Sequence, residues 1–264
     1  MKRLVCWLGL VLAPLGVFAQ VFGTVDAVNG PVTIVSADGT TTTPVVGQKL
    51  MVGQTVQTQT AGELHAVTED GGLLALRPGT TFIMQRYQAT QDGKSVIDMS
   101  LIKGALRSIT GWIGKLNPSG YRVTTGTATV GIRGTDHEVT VVEAGAGRDH
   151  PGTYDSVLEG ATVVRSAHGE LHLDAGQHGF AARDGQGTPR LLSERPEFLG
   201  QRALRLEERI AERKEKLGQR VRQVLDAHPD LPKAVRERLD NMTDEQREVA
   251  RKKLLRRAQR RNAD

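Results

Sequence analysis

Few residues of this chain have types and spacings that could do chemistry. His168 and His172 fall on one face of a predicted strand pair, with His178 close behind, and two or three imidazoles can begin a zinc or copper site. No carboxylate stands at a spacing that completes the set, and Gly169 parts His168 from the strand that follows. These histidines are read as facing solvent. The single cysteine, Cys6, lies in an apolar N-terminal run, so residues 20–264 offer no thiolate ligand, no disulfide and no cysteine nucleophile. There is no phosphate loop, no Gly-x-Ser-x-Gly elbow and no His-Glu-x-x-His pair. Gly145-Ala146-Gly147 joins two predicted strands and not a strand to a helix, which is the wrong setting for a dinucleotide. The reading is of a chain with no catalytic residue, no metal and no cofactor, and not of an enzyme.

The most distinctive string runs from Thr124 through Thr125, Gly126, Thr127, Ala128, Thr129, Val130, Gly131, Ile132, Arg133, Gly134 and Thr135 to Asp136. Alternation puts Thr127, Thr129 and Gly131 on one side and Ala128, Val130 and Ile132 on the other. Gly131 and Gly134 allow positive φ or close backbone approach. Arg133, between them, carries a planar fork suited to carbonyls or a carboxylate, with Asp136, Glu138 and Glu159 as candidate partners. The string reads as a corner locking two strand layers, with a partner-gripping surface as the alternative. A second unusual segment, Ile109-Thr110-Gly111-Trp112-Ile113-Gly114, sets large apolar residues among glycines. It reads either as a core hairpin or as a partner contact through Trp112 and Ile113.

The elements that must position these residues are strands. From residue 21 to 182, turn signals such as Asn29-Gly30-Pro31, Asp38-Gly39, Asp70-Gly71-Gly72, Pro78-Gly79 and Asp92-Gly93 punctuate short runs rich in Val, Thr and Ile. Strands are predicted at 32–35, 56–58, 63–68, 73–76, 81–87, 95–102, 104–110 and 121–125. A faint repeat relates Gly30 to Gly39 with Gly160 to Gly169, each followed by a Gly-Gln pair, Gly47-Gln48 and Gly176-Gln177. Each copy reads as one local unit that cannot bury its apolar face alone.

The two ends of the chain differ from this body. Lys2 and Arg3, an apolar run to Phe18 and the small residues Val17 and Ala19 have the layout of a secretory leader cleaved before Gln20. Residues 20–193 hold 13 basic and 16 acidic side chains; residues 194–264 hold 20 and 14. The basicity therefore belongs to the C-terminal part, where the apolar period becomes helical. Thr243-Asp244-Glu245-Gln246 makes a capping box, and Arg251, Lys252, Lys253, Arg256, Arg257, Arg260 and Arg261 crowd the last turns. The division is a leader at 1–19, an all-β domain at 20–193 and a basic helical tail at 194–264. The fold class is mainly β, with stacked short strands arranged as a β-solenoid or a two-layer sandwich and followed by the helical tail.

Several segments together resemble the FecR domain family. Thr125, Ala128, Val130, Gly131, Ile132, Arg133, Gly134 and Thr135 resemble its hallmark. Gly47 to Thr58, Asp70 to Thr80, Leu101 to Arg107, and Val157, Glu159, Gly160 and Val163 resemble other family segments in the same order. The resemblance implies an extracytoplasmic β domain that works through protein contacts. It implies signalling less directly, since the family's sigma-factor regulators carry a cytoplasmic helical segment and a spanning helix ahead of the domain, and here only about 20 residues precede the first strand. The chain resembles the stand-alone exported type.

The function read from this is an exported envelope binding or sensing module that meets an envelope protein. One alternative is a structural envelope protein docked to an anionic surface or lipopolysaccharide by its basic tail. Another is a chaperone-like periplasmic stress protein, because Met242-Thr243-x-x-Gln246 resembles a motif of the Spy/CpxP-like chaperones. No nucleic-acid partner is expected, because export and interspersed acids oppose it.

Overall fold

The computed structural model describes residues 20–88, 95–111, 118–145, 150–183, 187–200, 208, 210 and 211. The predicted leader, Trp112, Ile113 and the basic tail residues Arg251, Lys252, Lys253, Arg256, Arg257, Arg260 and Arg261 lie outside them. In chain order the strands are β1 (Val21–Asn29), β2 (Val32–Val35), β3 (Thr41–Thr42), β4 (Lys49–Met51), β5 (Thr55–Thr58), β6 (Glu63–Thr68), β7 (Leu73–Leu76) and β8 (Thr81–Gln88). Then follow β9 (Val96–Ile109), β10 (Tyr121–Thr124), β11 (Thr129–Val142), β12 (Gly152–Ser166), β13 (Gly169–Asp174), β14 (His178–Ala182) and β15 (Arg190–Leu192). A short helical turn, α1 (Glu197–Gly200), comes after them.

The pairings trace two layers that share three long strands. The first layer runs β3, β2, β5, β8, the first half of β9, β10, the first half of β11, the second half of β12, and β13. The second runs β4, β1, β6, β7, the second half of β9, the second half of β11, the first half of β12, β14 and β15. One apolar cluster draws on both, with Ile34, Val56, Phe82, Met99 and Val130 from the first and Phe22, Leu64, Leu74, Leu106 and Val139 from the second. A sandwich arises when strands cross from one sheet to its partner at a bend.

Those bends explain where sequence reading divided a strand. The segments predicted as 95–102 and 104–110 form the single strand β9. Gly104, at φ 86, turns it from its pairing with β8 to its pairing with β7 and β11. A Cβ at Gly104 would overlap Thr80, whose hydroxyl bonds both the Ala105 N–H and the Ala105 carbonyl at 3.0 and 3.1 Å. A glycine that reads as a break is here a fold in a continuous strand.

The internal repeat is visible in the backbone. In one copy Gly47 N donates to Val25 O and Val25 N to Gln48 O; in the other Gly176 N donates to Val157 O and Val157 N to Gln177 O. In both, the Gln side chain accepts from the backbone N–H three residues earlier, Val45 in one and Asp174 in the other, at 3.1 and 2.8 Å. The same turn thus pins strand β1 at one end of the sandwich and strand β12 at the other.

Candidate interaction site

The Gly-Ile-Arg-Gly-Thr string lies where β11 passes between layers. Thr125 prepares it: its hydroxyl donates to Ala128 O and accepts from Ala128 N, both at 3.0 Å. Ala128 is buried. Gly134 takes φ 64, and Gly160 takes φ 77 across the ladder, where the register of β11 against β12 shifts. Thr135 is tied to the end of β9, its N–H donating to Thr110 Oγ1 at 2.6 Å and its carbonyl accepting from the same hydroxyl at 2.8 Å. Gly131 differs from expectation. It has no positive φ, and a Cβ there would meet the Arg165 side chain at 3.3 Å and the Val163 carbonyl at an ordinary 3.9 Å, so close backbone approach is not its constraint. Arg133 pairs with Ala161 through its backbone, and its side chain is not among the described ones. Two of its expected partners are engaged by other arginines, and Glu159 is exposed.

Those arginines mark the least ordinary part of the protein. The sheet register puts His65, Ala75, Arg107, Glu138, Ser156 and His178 in one row on the outer face of the second layer. Arg107 grips Asp136 with two bonds of 2.9 Å. Arg77, just past β7, donates through Nε to Glu138 Oε2 at 2.7 Å, and its Nη2 contacts the same oxygen. Arg195 donates to the other oxygen, Glu138 Oε1, at 3.0 Å. Glu63 and His65 pair at 2.8 Å. All of these paired residues except Arg195 are buried, and His178 is half-buried. The three arginine pairs join strands or segments far apart in sequence and staple the layer crosswise, while Glu63 and His65 pair within β6. A buried charge is tolerable only when paired and hydrogen-bonded, as these are.

The chain itself covers this face. Leu199 is buried against Val142, Tyr154 and Phe180, with Phe198 beside it; the Tyr154 and Phe198 rings meet edge to face at 5.2 Å. Farther along, Ile210 is buried against Leu73, Ala75 and Ile109. Ile109, which opens the Gly-Trp-Ile segment, thus packs outward on this layer. His178 sits beside Arg195. Burial, and then the Arg195 charge, hold its imidazole below the usual histidine range, against an opposing pull from Asp155.

The inner face has polar groups as well. His137 Nδ1 donates to Asp155 at 2.9 Å, and Thr162 donates to the same carboxylate at 2.6 Å. An acid orienting an imidazole is half of a nucleophilic triad. Ser108 lies opposite His137 in register, but its hydroxyl is bonded to Tyr121 at 2.6 Å. The His137 and Asp155 side chains have no exposed surface, so as arranged they meet no substrate. Tyr87, bonded to Asp70, and Tyr121 have their phenol groups raised above the ordinary value, mainly by burial.

The histidines weighed for metal binding are apart in role. His172 is exposed and contacts Glu170 at 3.2 Å, and His168 is bonded through its backbone to Ser166. Among the described residues no group of three or more His, Cys, Asp or Glu is placed to hold a metal ion. Also among them, no helix is long and apolar enough to cross a membrane.

The model of the FecR protein family matches residues 54–163. Over that stretch, under half of the chain, the protein is similar to the FecR family. The match takes in the three layer-crossing strands up to Val163, while β1 to β4 and β13 to β15 complete the sandwich from either side. Two crystal structures of a candidate anti-sigma factor from Parabacteroides distasonis align at 16% identity, with TM-scores of 0.41 and 0.42. Each alignment covers 55% of this chain and 62% of theirs, so this chain spans less than two thirds of their length. No curated protein matches. The buried row was missed from sequence because it is made by pairing. Its one local signal is Asp136-His137-Glu138, three ionisable residues in succession inside a strand, which forces ionisable groups onto both faces.

Proposed function

We propose that this protein is an exported, non-catalytic binding or sensing module of the cell envelope, of the FecR-domain type, that acts by contact with an envelope protein. The FecR match supports a regulatory role, and the predicted leader at 1–19 supports export. The observation that carries the contact mode is the edge strand β13. Among the described pairings it bonds only to β12, leaving its other edge open. Leu173 is buried inward while Glu170, His172 and Asp174 face outward. Such an edge can accept a partner strand through main-chain bonds, and its charges deter indiscriminate pairing.

The test is a photo-crosslinking residue at His172 in whole cells, compared with one at Thr33 in β2, a strand toward the other edge of the first layer and paired on both sides. A discrete envelope protein captured from position 172 and not from position 33 supports the reading. Equal capture at both positions, or none at 172, removes it. A second reading rests on the charge division: the basic region 194–264 would dock the protein on an anionic surface. That attachment would weaken with salt, while a strand-edge contact would persist.

A further inference from the structure

We infer that residues 195–200 are a pH-released strap over the outer face of the second layer, with His178 as its trigger. The strap is fastened at two points. Arg195 bonds Glu138 at 3.0 Å, and Leu199, with Phe198, fills the apolar slot of Val142, Tyr154 and Phe180. Only the apolar point is well made. Glu138 is already neutralised by Arg77, so Arg195 is a second cation on one carboxylate. Among the described residues its Nε is buried with no bond, and so is the Nδ1 of His178. Unmet polar atoms in a buried contact weaken it.

The groups around His178 fix the direction of its effect. Asp155 and Ser156 come from β12, Glu138 from β11, Arg190 from β15 over the Phe180 ring at 5.2 Å, and Arg195 from the strap. The charged residues of β13, Glu170, His172 and Asp174, are exposed. A proton on His178 therefore adds a third cation beside Arg77 and Arg195, while Asp155 is engaged by His137 and Thr162. His178 is depressed in the closed state, so the open state binds the proton more readily. The contribution of neutral His178 to the strap contact is fully present above the ordinary histidine value near 6.5 and weakens as pH falls below it. Its release uncovers an aromatic slot beside a carboxylate, suited to another chain's segment with an arginine just before an apolar pair.

The experiment uses the full chain with Cys6→Ser and a nitroxide on Glu197→Cys, an exposed strap position. The label should be restricted at about pH 7.5 and gain a several-fold larger mobile fraction at about pH 5, with strand circular dichroism unchanged. In His178→Gln, or in His178→Asn should the first variant fold poorly, it should stay restricted throughout. A label equally restricted at both pH values overturns the inference. So does equal release in the His178 variants, or release that comes only with loss of the strand signal.

Discussion

The inner and outer faces of the second layer come from the same strands and bury opposite chemistry. Inward, Leu64, Leu74, Leu106 and Val139 meet the first layer in an apolar core that also holds the buried His137 and Asp155 pair. Outward, Arg77, Arg107, Asp136 and Glu138 form crossed ion pairs flanked by two small apolar clusters. The difference teaches how a strand with ionisable residues on both faces stays buried. The inner face gains from area removed from water and tolerates modest shape change. The outer face depends on each charge keeping its partner, so losses there are abrupt.

The largest expected effect breaks an outer pair. Glu138→Ala leaves the buried Arg77 guanidinium without its carboxylate and should cost about 3–5 kcal/mol. Denaturant midpoints measure it, and an Arg77→Leu/Glu138→Leu double variant should recover most of the loss. Next comes an inner truncation. Leu106→Ala should cost about 2–5 kcal/mol through lost burial and a residual cavity, with no double-variant recovery from the outer row. Were Glu138→Ala milder than Leu106→Ala, the outer face would be wetter than its burial implies.

Gly134→Val tests the corner that joins the faces. At φ 64 a β-branched residue is strained, and a loss of about 1–3 kcal/mol is expected. Thermal unfolding should show Gly131→Ala as milder, since Gly131 lacks positive φ. The smallest effect is expected outside both faces. Arg165 pairs with Glu170 at 3.0 Å in solvent, and Arg165→Ala should shift stability by less than about 0.5 kcal/mol.

Much of the fold was legible because β structure announces its turns. Val32–Val35, Glu63–Thr68 and Leu73–Leu76 lie between Gly, Pro and Asp signals and form strands where the pattern puts them. The Gly-Gln repeat was legible for the same local reason. The crossing of β9 was not, because Gly104 gives the same signal whether a strand ends or bends. The candidate site was legible only in part. Asp136 and Glu138 were recognisable as arginine partners, but the arginines are Arg107 and Arg77, brought from 29 and 61 residues away by strand pairing that no local pattern encodes.

The central claim is that the outer face is a second buried layer, closed by chain beyond residue 193. The direct measurement compares the unfolding free energy of a chain ending at Ser193 with that of the full chain. Losing buried Leu199 and half-buried Phe198, together with the Arg195 bond to Glu138, should lower stability by about 3 kcal/mol or more while strand circular dichroism persists. Equal stability of the two chains would contradict the account and leave residues 194–264 with no part in closing the sheet.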